Sequence, residues 1–271
     1  METITELLKS IESKLTTQIE NNSFAFTVSW DSIYEQNKNT AYHTQNFVTP
    51  IVLNSLDYEV AVISLETFYS FPNITEGVNN VFAYKDNPSE ESKIVEIPTG
   101  SYEIANIANE IRRQVGEEAY NGMSLERNDA TLKAVFKLKP HFRIDFTQPS
   151  SIRSILGFDS RIVGGNEKYF PGDHIVNILT VNTVFINCDL INNSYNNGVL
   201  APVIYSFFPN VAPGYKIVRN VENPIYLPVN KTQINNITVW LTDQSNNPLN
   251  FRGETITIRF HLRRIKWKYI C

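Results

Sequence analysis

Thr255-Ile256-Thr257-Ile258-Arg259-Phe260-His261-Leu262-Arg263 is the stretch on which the fold turns. Ile256, Ile258, Phe260 and Leu262 fall on one side of an extended chain; Thr255, Thr257, Arg259, His261 and Arg263 fall on the other. Successive strand side chains point to opposite faces, so this alternation reads as a strand with one face in a core and one in water. Moving toward the N-terminus, Ile237, Val239 and Leu241 alternate with Thr238, Trp240 and Thr242, and Phe24, Phe26, Val28 and Trp30 alternate with Ala25, Thr27 and Ser29. Further strands are expected over 47–53, 58–65, 81–85, 94–97, 124–126, 132–138, 142–146, 183–190 and 199–207. Pro50 marks the first of these as an edge or a bulge. Asn197-Gly198 is a hairpin signal, since both residues tolerate positive φ.

Two stretches break the period. Over 3–20, Ile4, Leu7, Leu8, Ile11, Leu15 and Ile19 recur at helical steps, with Thr3 and Glu6 at capping-box spacing. This amphipathic helix packs on its own domain or acts as an arm on a neighbouring subunit. Over 101–115, Tyr102, Ile104, Ala105, Ala108, Ile111 and Val115 form a second helical face, stopped by Gly116. Ser150 or Ser151 is placed to cap a short helical turn ending at Gly157. The expected fold is mainly β: an antiparallel jelly-roll sandwich over 23–265, an inserted helix–hairpin (α+β) segment at about 98–160, the N-terminal amphipathic helix over 1–22, and a basic, aromatic tail over 266–271.

Composition narrows the function classes. The chain has 271 residues and a net charge of −4, with 42% hydrophobic and 19% charged residues. That balance argues against disorder and against a globally basic nucleic-acid binder. Gly is sparse at 11 while Asn reaches about 30, so Asn serves many tight turns. Cys188 and Cys271 are too few for a disulfide scaffold. The first residues carry Glu2, Glu6 and Lys9 and no secretory h-region, and the longest apolar run, around Val60–Leu65, is far short of the ~20 residues that span a bilayer.

No nucleophile elbow, P-loop, dinucleotide fingerprint, H-E-x-x-H or C-x-x-C is present, so neither a cofactor nor a metal is expected. His43, His141, His174 and His261 lack ligand spacing, and Cys188 and Asp189 point to opposite faces of one strand. The best acid–base candidate is His141, Arg143 and Asp145 on one strand face, against which stands an ordinary solvated face opposite Phe142, Ile144 and Phe146. Arg252-Gly253-Glu254 reads as a glycine kink at a strand start. The tail from Arg263 interleaves Arg264, Lys266 and Lys268 with Trp267 and Tyr269. It suits a guarded sheet edge or a subunit contact, and is also a candidate for weak nucleic-acid contact.

The C-terminal half carries a resemblance. Its elements are Cys188-Asp189-Leu190-Ile191 with Asn193-Ser194-Tyr195 and Asn197-Gly198; Tyr205-Ser206-Phe207-Phe208-Pro209 with Pro213-Gly214-Tyr215; and Trp240-Leu241-Thr242-Asp243-Gln244 with Phe251-Arg252-Gly253-Glu254. Upstream, Ile97-Pro98-Thr99-Gly100-Ser101-Tyr102 and Leu156-Gly157-Phe158 fit the same pattern. The series resembles capsid proteins of Maverick/Polinton-type elements and adintovirus-like viruses over about 58–265. The length suits the penton, or minor capsid, member. The resemblance implies a virion protein without enzymatic activity, assembled inside the host cell, that forms a homopentamer at icosahedral vertices beside a double-jelly-roll major capsid protein. It implies turn roles for Gly157, Pro213, Gly214, Asp243, Gln244 and Gly253. Aromatic residues suit interface cores, which makes Tyr195, Tyr215, Tyr226, Trp240 and Trp267 candidate contacts. The alternative function is a ligand- or glycan-binding β-sandwich attachment module.

Overall fold

A computed structural model describes residues 23–32, 42–53, 55–166, 168–192, 194–196 and 198–265. The expected N-terminal helix, Trp267 and the basic tail lie outside the described residues. Among the described residues strand outweighs helix, 47% to 9%, and the paired strands run antiparallel. The chain divides into two compact units, one of 1–69 with 183–271 and one of 70–182.

The first unit opens with β1 (Ser23–Asp31), β2 (Tyr42–Val52) and β3 (Tyr58–Phe68). The second unit follows: β4 (Val81–Lys85), β5 (Lys93–Glu96), α1 (Ile104–Val115), α2 (Glu117–Tyr120), β6 (Met123–Asn128), β7 (Lys133–Leu138), β8 (Arg143–Asp145), α3 (Arg153–Leu156), β9 (Ile162–Val163) and β10 (Tyr169–Pro171). The chain then returns to the first unit with β11 (Val184–Cys188), β12 (Ser194–Asn196), β13 (Val199–Ala201), β14 (Val203–Phe207), β15 (Lys216–Asn220), β16 (Leu227–Pro228), β17 (Gln233–Thr242) and β18 (Thr255–Arg264).

In the first unit one sheet runs β1-β18-β3-β15, with β16 continuing along the open edge of β3, and the other runs β14-β11-β17-β2. Counting its eight main strands in chain order, the sheets read 1-8-3-6 and 5-4-7-2. The alternation read from the sequence supplies the inner faces. Ile256, Ile258, Phe260 and Leu262 of β18 are fully buried, as are Ile237, Val239 and Leu241 of β17. Phe26 of β1 meets Phe47 of β2 edge-on at 5.5 Å, which places the two sheets face to face.

The second unit pairs β10-β7-β6 and β5-β4-β8-β9 in two small sheets. Ile104, Ile107 and Ile111 of α1 bury against a core that holds Phe82, Phe136, Phe146 and Phe158. Gly116 ends α1 at φ +84°, and the Asn106 side chain accepts from the Glu103 N–H at its start. The segment expected as an insertion, 98–160, lies inside this unit, whose bounds are wider because β4 pairs with both β5 and β8.

Several boundaries differ from the sequence reading. The strand expected over 199–207 breaks at Pro202, which has no N–H to donate: β13 pairs with β12, and β14 pairs with β11. Short strands β9, β10, β12, β15 and β16 are additions to that reading, because two to five residues give too little alternation to register. No helix among the described residues is long and apolar enough to cross a membrane.

Candidate assembly surfaces

The sandwich of the first unit has two flanks, each built from one edge strand of each sheet. β1 and β2 close the first. Trp30 stacks on His43 at 5.1 Å behind the Phe26–Phe47 contact. Phe24, Tyr42, Val48 and Val52 are exposed along it. The pairing of β2 with β17 slips between Asn46↔Asn236 and Ile51↔Ile234, and the extra residues push Val48 fully into solvent at 104% relative exposure. Pro50 lies within this irregularity, as its ring demands. Nine-residue β1 has no strand partner but β18 among the described residues, and it lacks the Lys, Pro or bulge that ordinarily guards a free edge.

β14 and the β15–β16 segment form the opposite flank. The Arg219 guanidinium lies 5.9 Å from the Phe207 ring and 5.6 Å from the Phe208 ring, and donates to the Phe208 carbonyl, tying β15 to the end of β14. Beside this clasp opens a groove of about 390 Å³, lined by Phe185, Tyr195, Val203, Tyr205, Ile225 and Leu227 among others. Tyr195 is 71% exposed and Ile225 75%, and Val199 and Leu200 extend the apolar surface over the β12–β13 hairpin. Gly198 takes φ +79° in the turn of that hairpin.

The candidate contact residues divide between these surfaces. Tyr195 lines the groove, and Tyr215 is exposed just before β15. Tyr226 is half-buried on the outer face of the first sheet. Its hydroxyl lies 2.8 Å from His261 Nδ1, and the Arg263 guanidinium sits 3.4 Å above its ring. Burial and the neighbouring Arg263 charge hold His261 below the usual histidine range. Trp240 is half-buried on the other sheet, stacked on Tyr42 at 5.3 Å. Sequence reasoning misses Val48, Leu200 and Ile225, since single exposed aliphatic residues leave no motif. The one available signal is the absence of charge: β1 and β2 carry a single Asp, Glu, Lys or Arg, Asp31, and residues 194–207 carry none, in a chain that is 19% charged.

Gly157 caps α3 at φ +75°, and a Cβ there would lie 2.4 Å from the His174 carbonyl oxygen. Gly214, after Pro213, takes φ +86° and donates to the Tyr69 carbonyl at 2.8 Å. Asp243 Oδ1 accepts from the Ser245 and Asn247 N–H groups at 2.8 Å each, folding the turn that carries Gln244. Arg252 and Gly253 both take positive φ in the turn before β18.

The acid–base candidate does not assemble. His141 is exposed, and Arg143 donates to the carbonyls of Pro140 and Phe142 at 2.7 and 2.8 Å. Asp145 is buried rather than solvated, because four donors hold it: Ser92 Oγ at 2.7 Å, Thr147 N at 2.9 Å, Thr147 Oγ1 at 2.6 Å and Gln148 Nε2 at 2.8 Å. Burial alone would raise its pKa, but these hydrogen bonds outweigh it and hold the carboxyl at about 2. It is a structural staple, fully occupied. Cys188 is buried in β11 with its thiol pushed up to about 12 by desolvation, while the neighbouring Asp189 accepts from Lys231 and the Thr238 N–H. Among the described residues no three His, Cys, Asp or Glu side chains gather as a metal site.

No family model matches the chain, and no curated protein matches it. Among solved structures, a crystal structure of the mavirus penton protein is similar at 13% identity, covering 90% of this chain and 99% of that one, with a TM-score of 0.49. The D2–D3 domains of the flagellar cap protein FliD from Escherichia coli are similar at 12% identity over 81% of this chain and 100% of that one, with a TM-score of 0.23.

Proposed function

We propose that this chain is a structural capsid subunit of the penton, or minor capsid, type: a jelly roll carrying the second unit as an insertion between its third and fourth strands. The observation that carries the reading is the strand order, 1-8-3-6 in one sheet and 5-4-7-2 in the other. Eight antiparallel strands in two facing sheets, with every successive pair crossing between sheets except the fourth and fifth, which are neighbours in one sheet, match the jelly-roll pattern used by viral capsid and lectin domains. The sequence elements that resemble Maverick/Polinton-type and adintovirus-like capsid proteins fall on β11 to β14, on the turns before β15 and β18 and on the end of β17 in that sandwich, and on 97–102 and 156–158 of the second unit. The charge-poor β1–β2 flank and the uncharged 194–207 segment suit lateral association, since interface cores are depleted of charge. In this reading the chain forms a homopentamer at the icosahedral vertices of a virion, beside a double-jelly-roll major capsid protein, and performs no catalysis.

Co-expression with such a major capsid protein, followed by electron microscopy of purified particles, tests the reading. Closed icosahedral particles with this chain at their five-fold vertices are expected. Particles that exclude the chain, together with a monomer that binds a glycan beside Tyr195, would replace the reading with an attachment module.

A further inference from the structure

We infer that the groove flank of one copy receives the β1–β2 flank of a second copy, head to tail. The inference rests on the capsid-subunit reading and adds which surfaces meet. β1 and β2 end one side of the two sheet orders, and β14 and β15 end the other, so the flanks lie on opposite sides of one sandwich. They are also different in kind. One offers a groove under a hairpin, with Tyr195, Val199, Leu200 and Ile225 exposed; the other offers a ridge made of Phe24, Tyr42, Val48 and Val52. A contact between unlike surfaces is heterologous, and it closes into a ring when its rotation matches the symmetry.

Charge and area both favour a second copy as the occupant. The residues lining the groove carry no charge, and the charges nearest to it on β15 are engaged, Lys216 with Glu66 at 2.5 Å and Arg219 with the Phe208 carbonyl. The β1–β2 flank carries only Asp31, so it brings little charge against the uncharged groove. At roughly 150 Å² for each fully exposed large side chain, the eight residues present about 800 Å² of apolar surface. With apolar atoms at roughly 57% of an interface, this corresponds to about 1,400 Å² in all, within the ~1,200–2,000 Å² of stable specific contacts. The unguarded edge of β1 then lies inside the contact rather than open to irregular strand pairing.

The test uses two full-length variants, Ile225→Glu on the groove and Val48→Glu on the ridge, so that the two altered surfaces repel each other. Both positions are solvent-facing, and circular dichroism checks that each variant folds. Solution mass is read by light scattering, and brief amine cross-linking reads the contacts. Each variant alone is expected to fall to the single-chain mass. An equimolar mixture is expected to cross-link to a species of two chains and no larger, because it holds one intact groove facing one intact ridge. A variant that keeps the wild-type mass, or a mixture that stays wholly monomeric or regains full rings, overturns the assignment. Wild-type rings that both variants preserve defeat only this pairing of flanks; a wild type that is monomeric alone and beside a major capsid protein defeats the capsid reading itself.

Discussion

Replacing Asp145 with Asn keeps the shape of the side chain and removes its charge. The carboxylate accepts four hydrogen bonds through two oxygens, from Ser92, Thr147 and Gln148. In the D145N variant one oxygen becomes an NH₂ group that faces the donors of Ser92 and Gln148, so two charge-assisted bonds are lost. At ~1.5–3 kcal/mol each, partly recovered as Ser92 turns to accept, the variant should lose roughly 2–4 kcal/mol at pH 7. The depressed pKa that these same bonds produce gives a second figure. The carboxyl is held at about 2 against an ordinary 3.8, a difference worth roughly 2.5 kcal/mol. Because the folded pKa is depressed, that stability is present above the unfolded value and is lost as pH falls through the folded one. Roughly half should be gone by pH 3. Urea unfolding of wild type and D145N, measured from pH 7 down to pH 3, reads both quantities. The gap between the two proteins should be widest at pH 7 and shrink in acid. A gap below ~0.5 kcal/mol at pH 7, or one that does not change with pH, would refute the staple.

Gly157→Ala forces a Cβ to within 2.4 Å of a backbone carbonyl at φ +75°, so it should cost ~2–3 kcal/mol by thermal melting. Gly116→Ala, with positive φ and open space around it, should cost only about 1 kcal/mol. His261 is held below its usual range, so the folded state binds a proton less readily than the unfolded chain. Its contribution is present above the unfolded pKa and is lost as pH falls below it. H261Q should flatten the pH dependence of the melting temperature between roughly pH 5 and 7, and an unchanged slope would count against it. Cys188, buried with its thiol near 12, should take up no maleimide at pH 8 in folded C271S protein and react fully in denaturant.

The sandwich is legible in the sequence because β17 and β18 alternate without interruption, and alternation reports a face directly. The helix of the second unit is legible: Ile104, Ala108 and Ile111 of the expected face are buried, whereas Ala105 is exposed and Ile107 is buried in addition. The full extent of that unit is not, because β4 and β5 read as ordinary strands and only their pairing with β8 assigns them to the second unit. Asp145 shows the limit of a period-2 reading. Alternation groups it with His141 and Arg143 on a solvated face, but β8 is three residues long, and Ser92 from a distant loop draws the carboxylate inward. The flank surfaces are half legible. Tyr195 stands out for its aromatic chemistry, whereas Val48 owes its exposure to a register slip between β2 and β17 that no local pattern encodes.

Multi-angle light scattering of the purified full-length chain, run alone and again with a double-jelly-roll major capsid protein, tests the central claim most directly. A discrete ring is expected, and five copies of a 31.0 kDa chain give about 155 kDa. A mass of one chain in both settings, at concentrations well above those of assembly, would contradict it.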